Sequence, residues 1–193
     1  MFQLILASES PRRKQLLENA GFSFTTYPSN VSENIDKNLT VNEQILDIAR
    51  RKARFVFDQK INTQFQPFLV LAADTMVILN QRPLGKPRDE REAKEFLRAL
   101  SGRAHEVKTA VILLSSESSE EKSHVETSLV KFKPLSEKEI SDYIKTGEPM
   151  DKAGAYAIQG LGRAFVESFQ GSFDNIVGLP VEVVSRMIEN VRG

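Results

Sequence analysis

The chain has no cysteine, only two histidines and no excess charge of either sign. Without cysteine there is no disulfide, no thiol nucleophile and no cysteine-based zinc or iron–sulfur site. Two histidines cannot build a three-histidine metal cage. The 26 Lys+Arg balance 26 Asp+Glu, which argues against a general nucleic-acid binder, since such proteins carry a basic excess. A local basic patch stays open. Long apolar runs are also missing. Residues 2–7 are too short for a signal peptide and no basic segment precedes them. The longest later run, 68–73, falls far short of a membrane span. The expectation is a soluble, cytoplasmic protein with no membrane partner. Internal repeats are absent, and the one biased stretch, 115–123, reads as a solvated hairpin loop.

What is present suits one globular domain, 1–193. Hydrophobic residues make up 40% of the 193 and charged residues 27%. A chain of this size buries roughly 70% of its unfolded surface. Leu4 to Ala7 reads as a strand. Ser10 then caps a helix with Pro11 at its first position, and Gly21 stops it. Phe22 to Tyr27 is a second strand. Thr40 and Glu43 form a capping box, opening a helix with apolar residues at Val41, Ile45, Ile48, Ala49, Ala53 and Val56. Phe68 to Ala73 and Met76 to Leu79 read as buried strand interrupted by Asp74-Thr75. A polar loop, 80–88, leads to a further capping box at Asp89 to Glu92 and a helix to about Leu100. The alternating segments Ala104 to Leu114 and His124 to Phe132 predict a hairpin. Ser136 to Glu139 starts another helix. The stretch 147–178 holds six of the ten glycines, a density that marks turns and close backbone approach. Phe165 to Phe169 is a strand within it, and Pro180 begins the last helix. Strands and helices mix without strict alternation, so the class is α/β with a mixed sheet.

Four groups of residues could carry chemistry. In Ser8-Glu9-Ser10-Pro11-Arg12-Arg13 a strand end meets a helix start, where free N–H groups and two arginines favour a phosphate. A plain cap with two solvated arginines is the competing reading. Asp74 emerges from an apolar strand, where a carboxylate is costly unless paired or metal-bound. It suits a general base toward water, a ligand for a divalent cation, or a turn carboxylate. Gly85-Lys86 lacks the full spacing of a phosphate loop, which leaves Lys86 as a point charge or a solvated lysine. In residues 151–160 charged and small residues surround Gln159, whose amide can read a base edge as donor and acceptor; a loop whose glycines serve turns alone is the competing reading. Glu33, in a polar loop, could ligate a hard cation; a surface carboxylate is the competing reading. Lys52 lies among Arg50, Arg51 and Arg54, the usual mark of a solvated helix face. His105 and His124 read as structural. Together the cations and carboxylates suit metal-assisted chemistry on a polyphosphate.

These residues resemble the Maf family of nucleoside triphosphate pyrophosphatases along nearly the whole chain. The likeness runs through residues 4–13, Ala72-Ala73-Asp74-Thr75, Gly85-Lys86-Pro87, residues 100–107, residues 146–156 and Gly178-Leu179-Pro180. It implies an elongated mixed sheet flanked by helices, with two lobes around a central cleft, similar to the inosine-triphosphate pyrophosphatase fold. It implies cleavage of a nucleoside triphosphate between the α and β phosphates, with a divalent cation such as Mg2+ or Mn2+, in a protein that is often a homodimer. It makes Asp74 the proton acceptor and Arg12, Thr75 and Gln159 the selectors of substrate. Ser8, Arg12, Arg13, Lys52 and Lys86 fall to phosphate binding, and Glu33 and Asp74 to the metal.

Asp151-Lys152 with Ile158-Gln159-Gly160 is similar to the branch that acts on dTTP and UTP, and modified pyrimidine nucleotides fit the same chemistry. The branch acting on 7-methyl-GTP tends to carry an acidic residue at the position of Gln159. Three residues depart from the family pattern: Glu9, which adds a negative charge beside the phosphate site, Ala157 and Arg163. The family was named for septum inhibition, so a nucleotide-binding regulator of cell division, with incidental hydrolysis, is the alternative.

Overall fold

The computed structural model describes residues 2–61, 63, 66–118 and 120–192, the side chain of Arg192 excepted. Seven strands form one sheet in the order β2-β1-β3-β5-β6-β7, with β4 paired to β3. The strands are β1 (Gln3–Leu6), β2 (Phe24–Thr26), β3 (Phe68–Leu79), β4 (Arg82–Leu84), β5 (Ala104–Ser115), β6 (Glu121–Phe132) and β7 (Val166–Gln170). β1 runs parallel to β2 and β3, β4 antiparallel to β3, and β7 antiparallel to β6. The sheet is therefore mixed, as expected, and the class is α/β. By its internal contacts the chain divides into two compact units: 1–74 with 109–126 and 178–193, and 75–108 with 127–177.

The first unit is built on two well-specified helices. α1 (Pro11–Asn19) begins at Ser10, whose hydroxyl accepts the N–H of Arg13 at 3.4 Å. Pro11 holds the first helical position, where a missing N–H costs nothing. Past the helix end, Gly21 takes a left-handed φ of 77°, which glycine adopts without a Cβ penalty. α2 (Val41–Lys60) opens with the capping box. The Thr40 N–H reaches the Glu43 carboxylate at 2.8 Å, and Thr40 Oγ1 accepts the Glu43 N–H at 3.4 Å. Its inner face buries Ile45, Ile48, Ala49, Ala53 and Val56, each large aliphatic side chain contributing about 2 kcal/mol. α6 (Val181–Arg192) adds Val183, Val184, Met187 and Ile188 to the same unit's buried set.

β3 differs from the sequence expectation. It runs unbroken for 12 residues through Asp74 and Thr75, and all but Thr75 are buried. The predicted interruption treated Asp74 as a chain-breaking polar residue; a buried cation described below makes the break unnecessary.

In the second unit the expected polar loop contains β4. Asn80 and Gln81 take φ of 50° and 63° and join β3 to β4 in a two-residue hairpin of the mirror-image type. With no glycine there, the usual sequence signal is missing. α3 (Glu90–Leu100) is capped by Asp89, which accepts the Glu92 N–H at 2.7 Å. The reciprocal half of the predicted box does not form. The Glu92 carboxylate turns instead to the N–H of Arg88 at 2.7 Å and to its guanidinium at 2.9 and 3.0 Å. α4 (Glu137–Lys145) does carry a complete capping box at Ser136. β6 begins at Glu121, three residues before the predicted start, and Ser119 of the turn lies outside the described residues. A short helix not foreseen, α5 (Phe173–Val177), is pinned by buried Asn175. Its amide donates to Val107 O at 3.0 Å and to Ser128 Oγ at 2.9 Å.

An aromatic cluster fills the second unit's core. His105, Phe132, Tyr156, Phe165 and Tyr143 meet edge-on with ring centroids 4.7–6.0 Å apart. His105 Nε2 lies 2.8 Å from the Tyr156 hydroxyl. Burial alone lowers the His105 pKa to about 4, so the ring is neutral and structural, as read from the sequence. His124 is exposed, 3.3 Å from Glu126.

Candidate active site

In the first unit, six of the predicted residues belong to one electrostatic neighbourhood. β1 delivers the chain to Ser8, which is buried. Ser8 Oγ accepts the Ser10 N–H at 3.2 Å and Arg13 Nη1 at 3.4 Å. Arg13 Nε donates to Gly178 O at 2.9 Å, tying the start of α1 to the turn before α6. Desolvation is the largest influence on the Arg13 guanidinium and lowers its pKa; Asp74 and Glu33 oppose this and Arg12 adds to it. A buried guanidinium with carboxylates nearby stays charged, because arginine is the hardest side chain to deprotonate. Arg12 Nε is buried and has no hydrogen-bond partner. An orphaned cationic donor of this kind is costly unless a ligand completes it.

Lys52 is the centre of the group. It is only 7% exposed, although it lies in a basic run that usually marks a solvated face. Its ammonium stands 2.6 Å from Glu33 Oε1 and 2.7 Å from Asp74 Oδ1. The neighbouring arginines are each engaged. Arg50 and Arg54 pair with Glu121 at 2.7 and 3.3 Å, and Arg51 pairs with Asp47 at 3.0 Å.

Arg51 has a further role that the sequence concealed. Its guanidinium also donates to the carbonyl oxygens of Ser32 and Asn34, the latter at 2.9 Å. These are the residues either side of Glu33, so α2 holds the Glu33 loop with Arg51 and receives its carboxylate with Lys52. No periodicity or motif links positions 32–34 to 51, and only the fold brings them together.

Glu33 and Asp74 supply two hard oxygen donors at a shared cation. Among the described residues no group of three or more His, Cys, Asp or Glu side chains could enclose a metal ion. Two carboxylates nonetheless suit an octahedral ion of the Mg2+ type, which keeps waters and takes phosphate oxygens for its remaining positions.

The second unit holds the other three predicted residues. Thr75 follows Asp74 on β3 and is part-buried, whereas Lys86 and Gln159 are exposed. The loop of Lys86 is tied to the glycine-rich segment, since Gly154 N donates to Gly85 O at 3.0 Å. Gly154 has φ 66°, and a Cβ there would stand 2.8 Å from Val77 Cγ1. That glycine is required both for backbone angle and for contact with β3. Asp151 pairs with Lys152.

Glu148 is the residue in this unit that the sequence reading passed over. It opens a 3-10 turn, Glu148–Asp151, after α4, and its carboxylate accepts N–H groups from Leu161 and Gly162, beyond Gln159. The glycine density of the segment was the available signal; the partner that the glycines approach was not visible locally.

The Maf family profile, described as Maf-like protein, matches residues 3–191. A protein of Bdellovibrio bacteriovorus named dTTP/UTP pyrophosphatase is 55% identical over 96% of both chains. Proteins of the same name from Caldicellulosiruptor bescii and Bacillus pumilus are 44% and 43% identical, covering 99% and 98% of this chain and 96% of each relative. A solved Mycobacterium abscessus nucleoside-triphosphatase, or dITP/XTP pyrophosphatase, is 15% identical over 68% of this chain and 73% of that one. Its TM-score is 0.38, too low to bear on the fold. No helix among the described residues is long and apolar enough to cross a membrane. Matched by the profile over nearly its full length and more than half identical to a relative of the same size, the chain belongs to the Maf family.

Proposed function

We propose that the protein is a dTTP and UTP pyrophosphatase, hydrolysing these triphosphates to the nucleoside monophosphate and pyrophosphate. The observation that carries this reading is the buried Lys52 held between Glu33 and Asp74 at 2.6 and 2.7 Å, in the electrostatic neighbourhood of Arg12 and Arg13. It is supported by the 55% identity to a protein of that name.

In this mechanism Arg12, Arg13 and Lys86 bind phosphate oxygens, and Ser8 orients Arg13 through the 3.4 Å contact at its hydroxyl. Arginine suits this work because its fork pairs two phosphate oxygens at once. Asp74 takes a proton from the attacking water. The water oxygen bonds to the α phosphorus as the bond from that phosphorus to the α–β bridging oxygen breaks, and pyrophosphate leaves with the bond's electron pair. Glu33 and Asp74 would hold the divalent cation; when bound it neutralises charge on the phosphates and polarises the reacting centre. Lys52 keeps both carboxylates aligned and contributes positive charge toward the phosphates. Thr75, Arg12 and Gln159 select the base, the Gln159 amide offering a pyrimidine both a donor and an acceptor. Modified pyrimidine nucleotides belong to the same substrate class. A cytoplasmic homodimer completes the reading, on the family resemblance alone.

Purified protein incubated with a panel of nucleoside triphosphates and Mg2+ or Mn2+ tests the proposal by pyrophosphate release. Release from dTTP and UTP in preference to purine triphosphates is expected. Nucleotide binding without pyrophosphate release would favour the regulator of cell division instead.

A further inference from the structure

The Glu148 carboxylate is enclosed by its own chain. Oε1 accepts the Tyr143 hydroxyl at 2.8 Å and the Gly162 N–H at 3.2 Å, while Oε2 accepts the Leu161 N–H at 3.0 Å. The surrounding turn is tight: Gly160 N donates to Ala157 O at 3.2 Å and Arg163 N to Gly160 O at 3.1 Å. Successive N–H groups aimed at one anion form a backbone nest, and here the anion is a side chain thirteen residues earlier.

The fit excludes side chains at the turn. A Cβ at Gly160 would lie 2.6 Å from Glu148 Cδ, and one at Gly162 would lie 2.9 Å from both the Tyr143 hydroxyl and Ala157 O. The two glycines that bracket Leu161 therefore serve the approach of backbone to carboxylate. Burial works to raise the Glu148 pKa, but the Leu161 N–H, the Tyr143 hydroxyl and the Gly162 N–H outweigh it and hold the group below the ordinary carboxylate range. An ionised carboxylate with three donors is a rigid anchor. Gln159 immediately precedes the anchored residues and is itself exposed.

We propose that Glu148 is a positioning residue for base selection: by fixing the turn at 160–162, its carboxylate sets where the Gln159 amide stands, and with it the preference for a pyrimidine over a purine. The inference rests on the reading of Gln159 given above. Glu148 does not touch the nucleotide in this scheme. It acts through the turn, and an amide displaced by a fraction of an ångström loses its hydrogen bonds to the base edge.

The test compares kcat/KM for dTTP and dGTP, read by pyrophosphate release, in the wild type, Glu148→Gln, Gln159→Ala and the double variant. Glu148→Gln keeps the size of the side chain but offers an amide where the nest binds an anion. Its dTTP-over-dGTP ratio should fall about tenfold. The double variant should be no less selective than Gln159→Ala alone, because the two residues act in series. Tyr143→Phe removes one donor and should lower the ratio by a smaller factor; should Glu148→Gln not fold, this variant carries the test. Selectivity unchanged in Glu148→Gln and Tyr143→Phe, an equal fall for both nucleotides, or independent multiplication of the two losses overturns the inference. Absence of pyrophosphate release from dTTP by the wild type is a separate result, and it overturns the functional reading itself.

Discussion

Lys52 on α2 and Asp74 on β3 form a buried ion pair at 2.7 Å, their side chains only 9% and 12% exposed. The pair joins the longest helix of the first unit to its central strand, and Glu33 shares the same ammonium. Removing one partner of such a pair leaves an uncompensated charge out of water, which costs more than the pair itself contributes. Lys52→Met should lower unfolding free energy by about 3 kcal/mol. For a chain of this size that is a fall of roughly 6–12 °C in melting temperature, measurable by circular dichroism. A melting temperature within a degree of the wild type would contradict this account of the pair.

Asp74→Asn removes the proposed proton acceptor while keeping the side chain's size, and Lys52 retains Glu33. Turnover of dTTP should fall by at least about 100-fold, the usual scale for losing a general base, with the fold intact. Wild-type turnover in a folded variant would exclude Asp74 from the chemistry.

Arg51→Ala frees the loop on both sides of Glu33 without touching the carboxylate. The expected result is about a tenfold loss in kcat/KM for dTTP, with melting temperature little changed, because the clamp is largely at the surface. In a Glu33→Gln background the same substitution should have no further effect, since it acts only by placing that carboxylate. Equal losses with and without Glu33 would show that Arg51 works by another route.

Acid should weaken the protein through His105. Its pKa of about 4 in the fold lies below the ordinary value near 6.5, so the unfolded chain binds the proton first. The contribution of neutral His105 is complete above about pH 6.5 and is lost as pH falls toward 4. It amounts to about 3 kcal/mol over that window. His105→Gln retains a hydrogen-bonding group for Tyr156 but cannot titrate. Its melting temperature should vary less between pH 6.5 and 4.5 than that of the wild type. Parallel curves for the two proteins would remove His105 as the cause.

Gly154→Ala combines a left-handed backbone angle with a methyl group aimed into Val77 at 2.8 Å. A loss of about 2–4 kcal/mol is expected, the sum of backbone strain and overpacking. Denaturant unfolding measures it directly, and a change below about 0.5 kcal/mol would mean that the segment yields.

How much of this was legible in the sequence depended on the range of the interaction. Thr40 with Glu43 is legible as a capping box, and Ser136 to Glu139 as a helix start, because the residues that signal each lie within four positions. Asp89 with Glu92 failed in part because Arg88, one residue outside the motif, offered the carboxylate a charged partner. β3 was divided at Asp74 because its compensating charge lies 22 residues earlier, on a different element. Lys52 was assigned to the site by resemblance, while its local context indicated a solvated face. Its burial follows from its place on the face of α2 that also buries Ile45, Ile48, Ala49 and Val56, where Glu33 and Asp74 compensate its charge. The turn Asn80-Gln81 is hard to see because Asn80, although favoured at positive φ, lacks the following glycine that completes the usual hairpin signal. Arg51 and Glu148 were missed for a common reason: each acts on backbone groups of a distant loop, and backbone groups are the same at every position in a sequence.

The Lys52 ammonium also bears on how the protein depends on its surroundings. Two carboxylates drawn to one point would repel each other and burden the folded chain unless some positive charge lay between them. Here that charge is covalently part of the chain, an internal counter-ion. Folding therefore draws on no dissolved ion to neutralise Glu33 and Asp74, and a chelator should leave the melting temperature of the free protein where it was. On the proposed mechanism, supply of divalent cation would govern turnover without governing the protein's lifetime.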